Sequence, residues 1–281
     1  MKLSGSMAEN DQTRTVFIFG LSSDIGRELA KRFAGQGWRV VGTYRKEQGL
    51  GELAERDDMA LIPCDAGDPE SVASAVAEYA ALDAPWDLFL SSIGTMEPIG
   101  TFFDLDFKSW EESVAVNSLA QLKVLHSLYP LRRQGGVAHA MFFSGMGTND
   151  VTKNYSAYTV SRIMLIKMCE QLDAEADDLN IFIIGPGFIP TKMIQETIRA
   201  GERVGEHYQK TVDLLECSGT DINDLFAHIN WCMEQGREVA GGRNFSTQHD
   251  PWRDEGADLA GRLRKNQDMF RLRRSLNASG K

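Results

Sequence analysis

The chain has 281 residues, 42% of them hydrophobic and 25% charged, which suits one large α/β domain or two small ones. Its formal net charge of −10 excludes a general nucleic-acid binder, which needs a basic face to neutralise phosphates. A small anionic cofactor needs only a few local donors and stays open, whereas no apolar run approaches the ~18–20 residues of a membrane span.

Residues 1–14 are polar, lack the apolar core of a signal peptide, and are set aside as a disordered or tag-like N-terminus. An apolar strand is expected over 15–20, then a helix over 24–37 ended by glycine. Strands follow at 38–44 and 59–64, a helix opened by Asp and Pro at 68–82, and a strand at 86–94. One long helix is expected from about 107 to 133, a strand at 137–145, a helix from about 155 to 176, and a strand at 180–187. Mixed helical sequence runs to about 236, and a last strand is read at 242–247. Such alternation implies right-handed crossovers and a parallel sheet covered on both faces, which its nearly all-apolar strands require. The expected fold is α/β: a single doubly wound Rossmann-type domain over 15–247, with a C-terminal extension over 248–281.

In such a sheet, ligands bind at the carboxyl ends of the strands. At the first, Gly20 permits a tight turn and Gly26 lets the helix approach ligand and sheet. N–H groups at the helix start, Ile25 among them, then face a pyrophosphate, with hydroxyl donors from Ser22 and Ser23. Asp24 stands beside that phosphate site and is expected to cap the helix by accepting from a free N–H. Tyr158 and Arg162 lie at i and i+4 on one helix face, where a fixed cation favours phenolate, as an acid/base tyrosine requires. A surface pair on a helix is the competing reading. Asn117 is a polar residue in an apolar helix and wants a partner or a function, and Ser144 closes a strand. The four cysteines, Cys64, Cys169, Cys217 and Cys232, are scattered and read as reduced thiols of a cytoplasmic protein. The five histidines show no ligand spacing, so no metal is expected.

A glycine turn, Asp65, Asn117, Ser144, Y-x-x-S-R and "PGFIPT" occur in one order that resembles the short-chain dehydrogenase/reductase superfamily, over about residues 15–245. The resemblance implies that Gly20 and Gly26 are the outer glycines of T-G-x-x-x-G-x-G and that Asp65 holds the adenine amino group. It implies that Asn117 supports a water in a proton relay, Ser144 bonds the substrate carbonyl, and Tyr158 gives or takes the proton. Pro186 and Gly187 match the motif beside the nicotinamide, and Thr191 the residue fixing the carboxamide. The chain departs from the pattern in four places: Phe19 for threonine, Asp24 for the middle glycine, Ser91-Ser92-Ile93-Gly94 for N-N-A-G, and Arg162 for lysine. Ser92 and Gly94 are still placed in the cofactor site. Arg162 keeps the charge to hold the ribose and tune Tyr158, but arginine passes no protons.

Two registers compete, Tyr155 with Thr159 or Tyr158 with Arg162; the second retains a cation and the family's serine at Ser161. Strict alignment puts Gly145, not Ser144, at the family's serine. The second strand ends without an acid, and Arg45 suits a 2′-phosphate, so NADP(H) is preferred over NAD(H). The expected activity interconverts a carbonyl and an alcohol on an unknown substrate, polar and sugar-like by the residues of 189–218: Lys192, Gln195, Glu196, Arg199, Arg203, His207 and Tyr208. The alternative is a cofactor-binding sensor or structural subunit without catalysis. The family implies a homodimer or homotetramer, and the tail beyond 248 either packs on a neighbour or is solvated.

Overall fold

The computed structural model describes residues 13–56, 58–216 and 219–274; most of the set-aside N-terminus, Cys217, Ser218 and the last seven residues lie outside them. The short β-branched and aromatic runs become strands β1 (Thr15–Phe19), β2 (Arg39–Tyr44), β3 (Met59–Pro63), β4 (Leu88–Ser91), β5 (Ala138–Phe143), β6 (Leu179–Gly185) and β7 (Asn244–Ser246). They form one sheet among the described residues, ordered β3-β2-β1-β4-β5-β6-β7, every neighbouring pair parallel. The order reverses between β1 and β4, and a crevice opens there at the carboxyl ends. β4 is shorter than expected: from Ser92 the chain leaves the sheet and turns into the crevice.

Helices cover both faces: α1 (Asp24–Gly35), α2 (Pro69–Ala81), α3 (Phe107–Val114), α4 (Ala120–Leu128), α5 (Ser156–Glu175), α6 (Lys192–Ala200), α7 (His207–Glu216), α8 (Ile222–Gln235), α9 (Arg237–Ala240) and α10 (Gly256–Lys265). Asp68 caps α2 by accepting from Glu70 N–H, ahead of Pro69 in the first turn. Alternate strand residues feed two cores: Val16, Ile18 and Phe182 pack under α1 and α8, and Phe17, Phe89 and Ile181 pack under α2, α4 and α5.

The long helix expected over 107–133 is interrupted. Residues 115–119 form a π turn between α3 and α4, in which Ala120 N–H donates to Ala115 O, five residues back. Side chains make the interruption affordable: Ser118 Oγ donates to Val114 O at 2.7 Å and Gln121 Nε2 to Asn117 O at 2.7 Å.

The tail packs on this chain's own core. Trp252, Leu259, Ala260 and Leu263 are buried with the α1–α8 cluster, and Leu272 packs on the opposite one. Arg243 is buried, has no carboxylate partner among the described residues, and donates to the carbonyls of Glu238, Val239, Leu263, Asn266 and Met269. β7 is also closed on its outer side: Asn244 N–H donates to Phe270 O and Ser246 N–H to Asp250 Oδ2.

Burial pulls His139 down to about 4 and His228, stacked on Trp252 at 4.5 Å, down to about 3. Both fold neutral, whereas the unfolded chain takes up protons below about 6.5. Stability is therefore full above that pH and falls as pH drops toward the folded values. Between pH 7 and 5, the unfolding free energy obtained from urea titration is expected to fall by on the order of 2 kcal/mol per histidine. A His228→Phe variant is expected to halve that slope; an unaltered slope would remove His228 as its source.

Candidate active site

The first turn is built by mutual close approach. Gly20 has φ of +88°, and a Cβ there would overlap Ile93. Its N–H donates to Thr43 Oγ1 at 2.8 Å, which ties the end of β1 to β2. Ser23 Oγ accepts from Gly26 N–H at 2.9 Å and donates to Ser92 Oγ at 3.1 Å, which donates to Gly20 O at 2.9 Å. A Cβ on Gly26 would strike Gly20 O and Ser92 Oγ. Ser92, a departure from the family's asparagine, thus locks the turn. Ser22, Ser23 and Ile25 line the crevice, where the first-turn N–H groups of α1 lack acceptors one turn back.

Asp24 does not cap the helix; Ser23 does, and Asp24 is the first helical residue. Its carboxylate is taken instead by Arg27 at 2.9 Å and by Lys192 N–H at 2.6 Å, so it spans from the start of α1 to the start of α6. A carboxylate near two helix N-termini is electrostatically favourable, which explains the acid beside a phosphate site.

Tyr158 and Arg162 meet as their spacing predicts. Both line the crevice and are buried, at 5% and 2% exposure, and the guanidinium carbon lies 4.9 Å from the tyrosine ring centroid. Arg162 has no carboxylate partner among the described residues. It donates to Phe143 O at 3.2 Å, Ile93 O at 3.4 Å and Asn117 Oδ1 at 3.3 Å, and its Nε is buried without an acceptor. A Cβ on Gly94 would overlap Arg162 Nη2, so glycine there makes room for the longer side chain. Tyr155 lies apart from the crevice: it is buried, its hydroxyl bonds Thr197 Oγ1 at 3.1 Å, and burial pushes its pKa up.

Ser144 lines the crevice together with Tyr158. Ser144 Oγ sits beside Gly185 on β6, and among the described residues no hydrogen bond joins it to Tyr158. Gly145 faces the tyrosine hydroxyl, and any Cβ there would overlap it. A serine at 145 would displace Tyr158, so its hydroxyl has taken the space that side chain would fill. Asn117 is fully buried, but its carbonyl accepts from Gln121, whose Oε1 accepts from Ser91 Oγ at 2.7 Å. The carbonyl is thus held by protein, and the amide oxygen anchors Arg162.

The remaining sites lie around one cavity of about 1300 Å³: Arg45 at the end of β2, Asp65 after β3, and Pro186, Gly187 and Thr191 between β6 and α6. Asp65 Oδ1 accepts from Gly67 N–H at 2.9 Å. Of the residues read from 189–218, Lys192, Glu196 and His207 line the cavity, whereas Gln195, Arg199, Arg203 and Tyr208 do not. Thr95 and Gln121 were not read from the sequence; Gln121, at i+4 from Asn117, was the one with a positional signal.

A nicotinamide dinucleotide fits what is present: a glycine-lined turn closed to larger side chains, a helix start, and beside a tyrosine a buried guanidinium with no carboxylate partner among the described residues. That combination at a sheet's switch point defines a dinucleotide-dependent oxidoreductase. Comparison with known proteins agrees. The profile of a family described as enoyl-(acyl carrier protein) reductase matches residues 20–225. An uncharacterized oxidoreductase of Staphylococcus haemolyticus is 26% identical over 195 residues, covering 68% of this chain and 84% of the other. A short-chain dehydrogenase/reductase of Saccharomyces cerevisiae superposes with a TM-score of 0.75 at 18% identity, over 85% of this chain and 97% of that one. A short-chain dehydrogenase of Shigella flexneri, complexed with NADP, gives 0.70 at 21% identity, over 85% and 100%. The chain belongs to the short-chain dehydrogenase/reductase family and is an NAD(P)-dependent oxidoreductase.

Proposed function

We propose that the chain reduces a carbonyl to an alcohol, or the reverse, with NADP(H). The observation that carries this reading is the buried Tyr158–Arg162 pair facing the dinucleotide crevice. The nicotinamide cofactor supplies or accepts the hydride. Tyr158 donates the proton to the carbonyl oxygen from its hydroxyl, or removes it in the oxidation. Arg162 holds the ribose and sets its guanidinium against the Tyr158 ring. Asn117 anchors Arg162 through its amide oxygen, and its carbonyl, which accepts one bond from Gln121, keeps a second lone pair for a relay water. Ser144, which lines the same crevice, is assigned to orient the carbonyl. The cofactor is assigned to the crevice lined by Gly20, Ser22, Ser23 and Ile25, with Gly26 behind them at the close approach of α1, the adenine end at Asp65 and the nicotinamide end at Gly94, Pro186, Gly187 and Thr191.

Met96, Met146 and Met193 pack around Tyr158, and His207, Lys210 and Thr211 line the outer cavity. They suit a substrate with an apolar flank at the carbonyl and polar, sugar-like groups outward. Preference for NADP(H) is supported by Arg45, which is exposed on the crevice and has no ion pair among the described residues. A reducing, cytoplasmic setting is supported by three buried, unpaired cysteines: Cys64, Cys169 and Cys232. A homodimer or homotetramer gives a cover to Leu119 and Val160, exposed on adjoining helical segments.

The test is transfer of deuterium from 4-deutero-NADPH to a panel of ketones and aldehydes, followed by mass spectrometry of the alcohols. Label in no product would overturn the reading. In parallel, Arg45→Glu is expected to weaken NADPH binding by about 10- to 100-fold, the loss of a charged hydrogen-bonded contact, and to leave NADH binding unchanged. Equal effects on both nucleotides would overturn the NADP(H) preference.

A further inference from the structure

One face of α6 is docked on the loop that follows β4. Met193, Glu196 and Thr197 stand at i, i+3 and i+4, on one side of the helix. Met193 Cε lies 3.0 Å from where a Cβ on Gly94 would stand. Thr197 Oγ1 donates to Met96 Sδ at 3.1 Å and accepts from Tyr155. Glu196 Oε2 accepts from Met96 N–H at 2.7 Å and from Thr95 Oγ1 at 3.0 Å. The other side of Thr95 is clasped by one amide: its N–H donates to Asn117 Oδ1 at 3.0 Å, and Asn117 Nδ2 donates to its carbonyl at 2.8 Å. Asn117 Oδ1 is also the acceptor for Arg162 Nη2. A continuous chain of hydrogen bonds therefore runs from a carboxylate on α6 to the guanidinium beneath Tyr158.

We infer that Glu196 is a positioning residue: by fixing Thr95 and Met96 against Asn117, it makes the placement of Arg162 depend on the docking of α6. The inference rests on Tyr158 and Arg162 as the reacting pair for its kinetic consequence, but not for its structural one. The charge-assisted acceptor makes two bonds to one short segment, so its loss frees the segment on the side away from Asn117. An undocked α6 leaves the cation loosely held, and a docked one sets it. Turnover is thereby coupled to the docking of α6.

Hydrogen exchange of the cofactor-free protein tests the chain of bonds directly. In Glu196→Ala the amides of Thr95 and Met96 are expected to lose at least about tenfold of their protection, while Glu196→Gln, which keeps an acceptor oxygen, restores most of it. Unchanged protection of Thr95 in Glu196→Ala would overturn the inference. With a substrate in hand, Glu196→Ala lowers kcat about tenfold with little change in KM, and Glu196→Gln rescues it; a change confined to KM would likewise overturn it. An inactive wild-type protein in which exchange still responds would remove the catalytic reading and leave this coupling standing.

Discussion

Tyr158→Phe is expected to abolish most turnover, by about 10²- to 10⁴-fold, the range for loss of a positioned acid/base group. The substitution keeps the ring, so the packing against Arg162 and against Met96 survives. Only the hydroxyl facing Gly145 is lost. NADPH affinity and the urea midpoint should therefore match the wild type, which separates a chemical loss from a folding defect. Stopped-flow NADPH oxidation with a substrate found by the deuterium screen is the measurement. Retention of more than about a tenth of the wild-type rate would show that another group supplies the proton.

The largest loss of stability is expected from Arg243→Met. Burial pulls this guanidinium down to about 10, still charged at neutral pH, and its donors satisfy carbonyls from α9, from α10 and from the segment after it. Methionine fills similar space but leaves those acceptors unpaired. At roughly 1–3 kcal/mol for each buried acceptor left without a partner, and with some regaining water, the loss is about 3–5 kcal/mol. Urea unfolding followed by the fluorescence of Trp252, buried beside α10, checks it. A loss under about 1 kcal/mol would mean that the tail is held by its apolar contacts alone.

The sheet was legible because strands buried on both faces leave a plain mark, as in Thr15–Phe19 and Leu179–Gly185. Tyr158 and Arg162 were legible because helical spacing places them together irrespective of context. Gly145 is different: its significance lies in a tyrosine hydroxyl thirteen residues on, which no local pattern reports. The π turn at Asn117 follows from carbonyls taken by Ser118 and Gln121, and both residues are compatible with an unbroken helix. Asp24 was given the cap because acids favour helix starts, but Ser23 wins by its bond to Gly26, and one of the two partners of Asp24 lies 168 residues away. The tail was ambiguous because its buried side chains alternate with charges; only the carbonyl-binding role of Arg243 shows why it folds inward.

The closed outer side of β7 limits how copies of this protein can associate. A strand at the rim of a sheet propagates into a neighbouring molecule only through free N–H and C=O groups pointing outward. The outward donors of β7, Asn244 and Ser246, are spent on Phe270 and Asp250 of the same chain. A sheet running continuously from one molecule into the next is therefore denied on this side. Association of copies there must be made by side chains, and its geometry is set by helix surfaces rather than by backbone register.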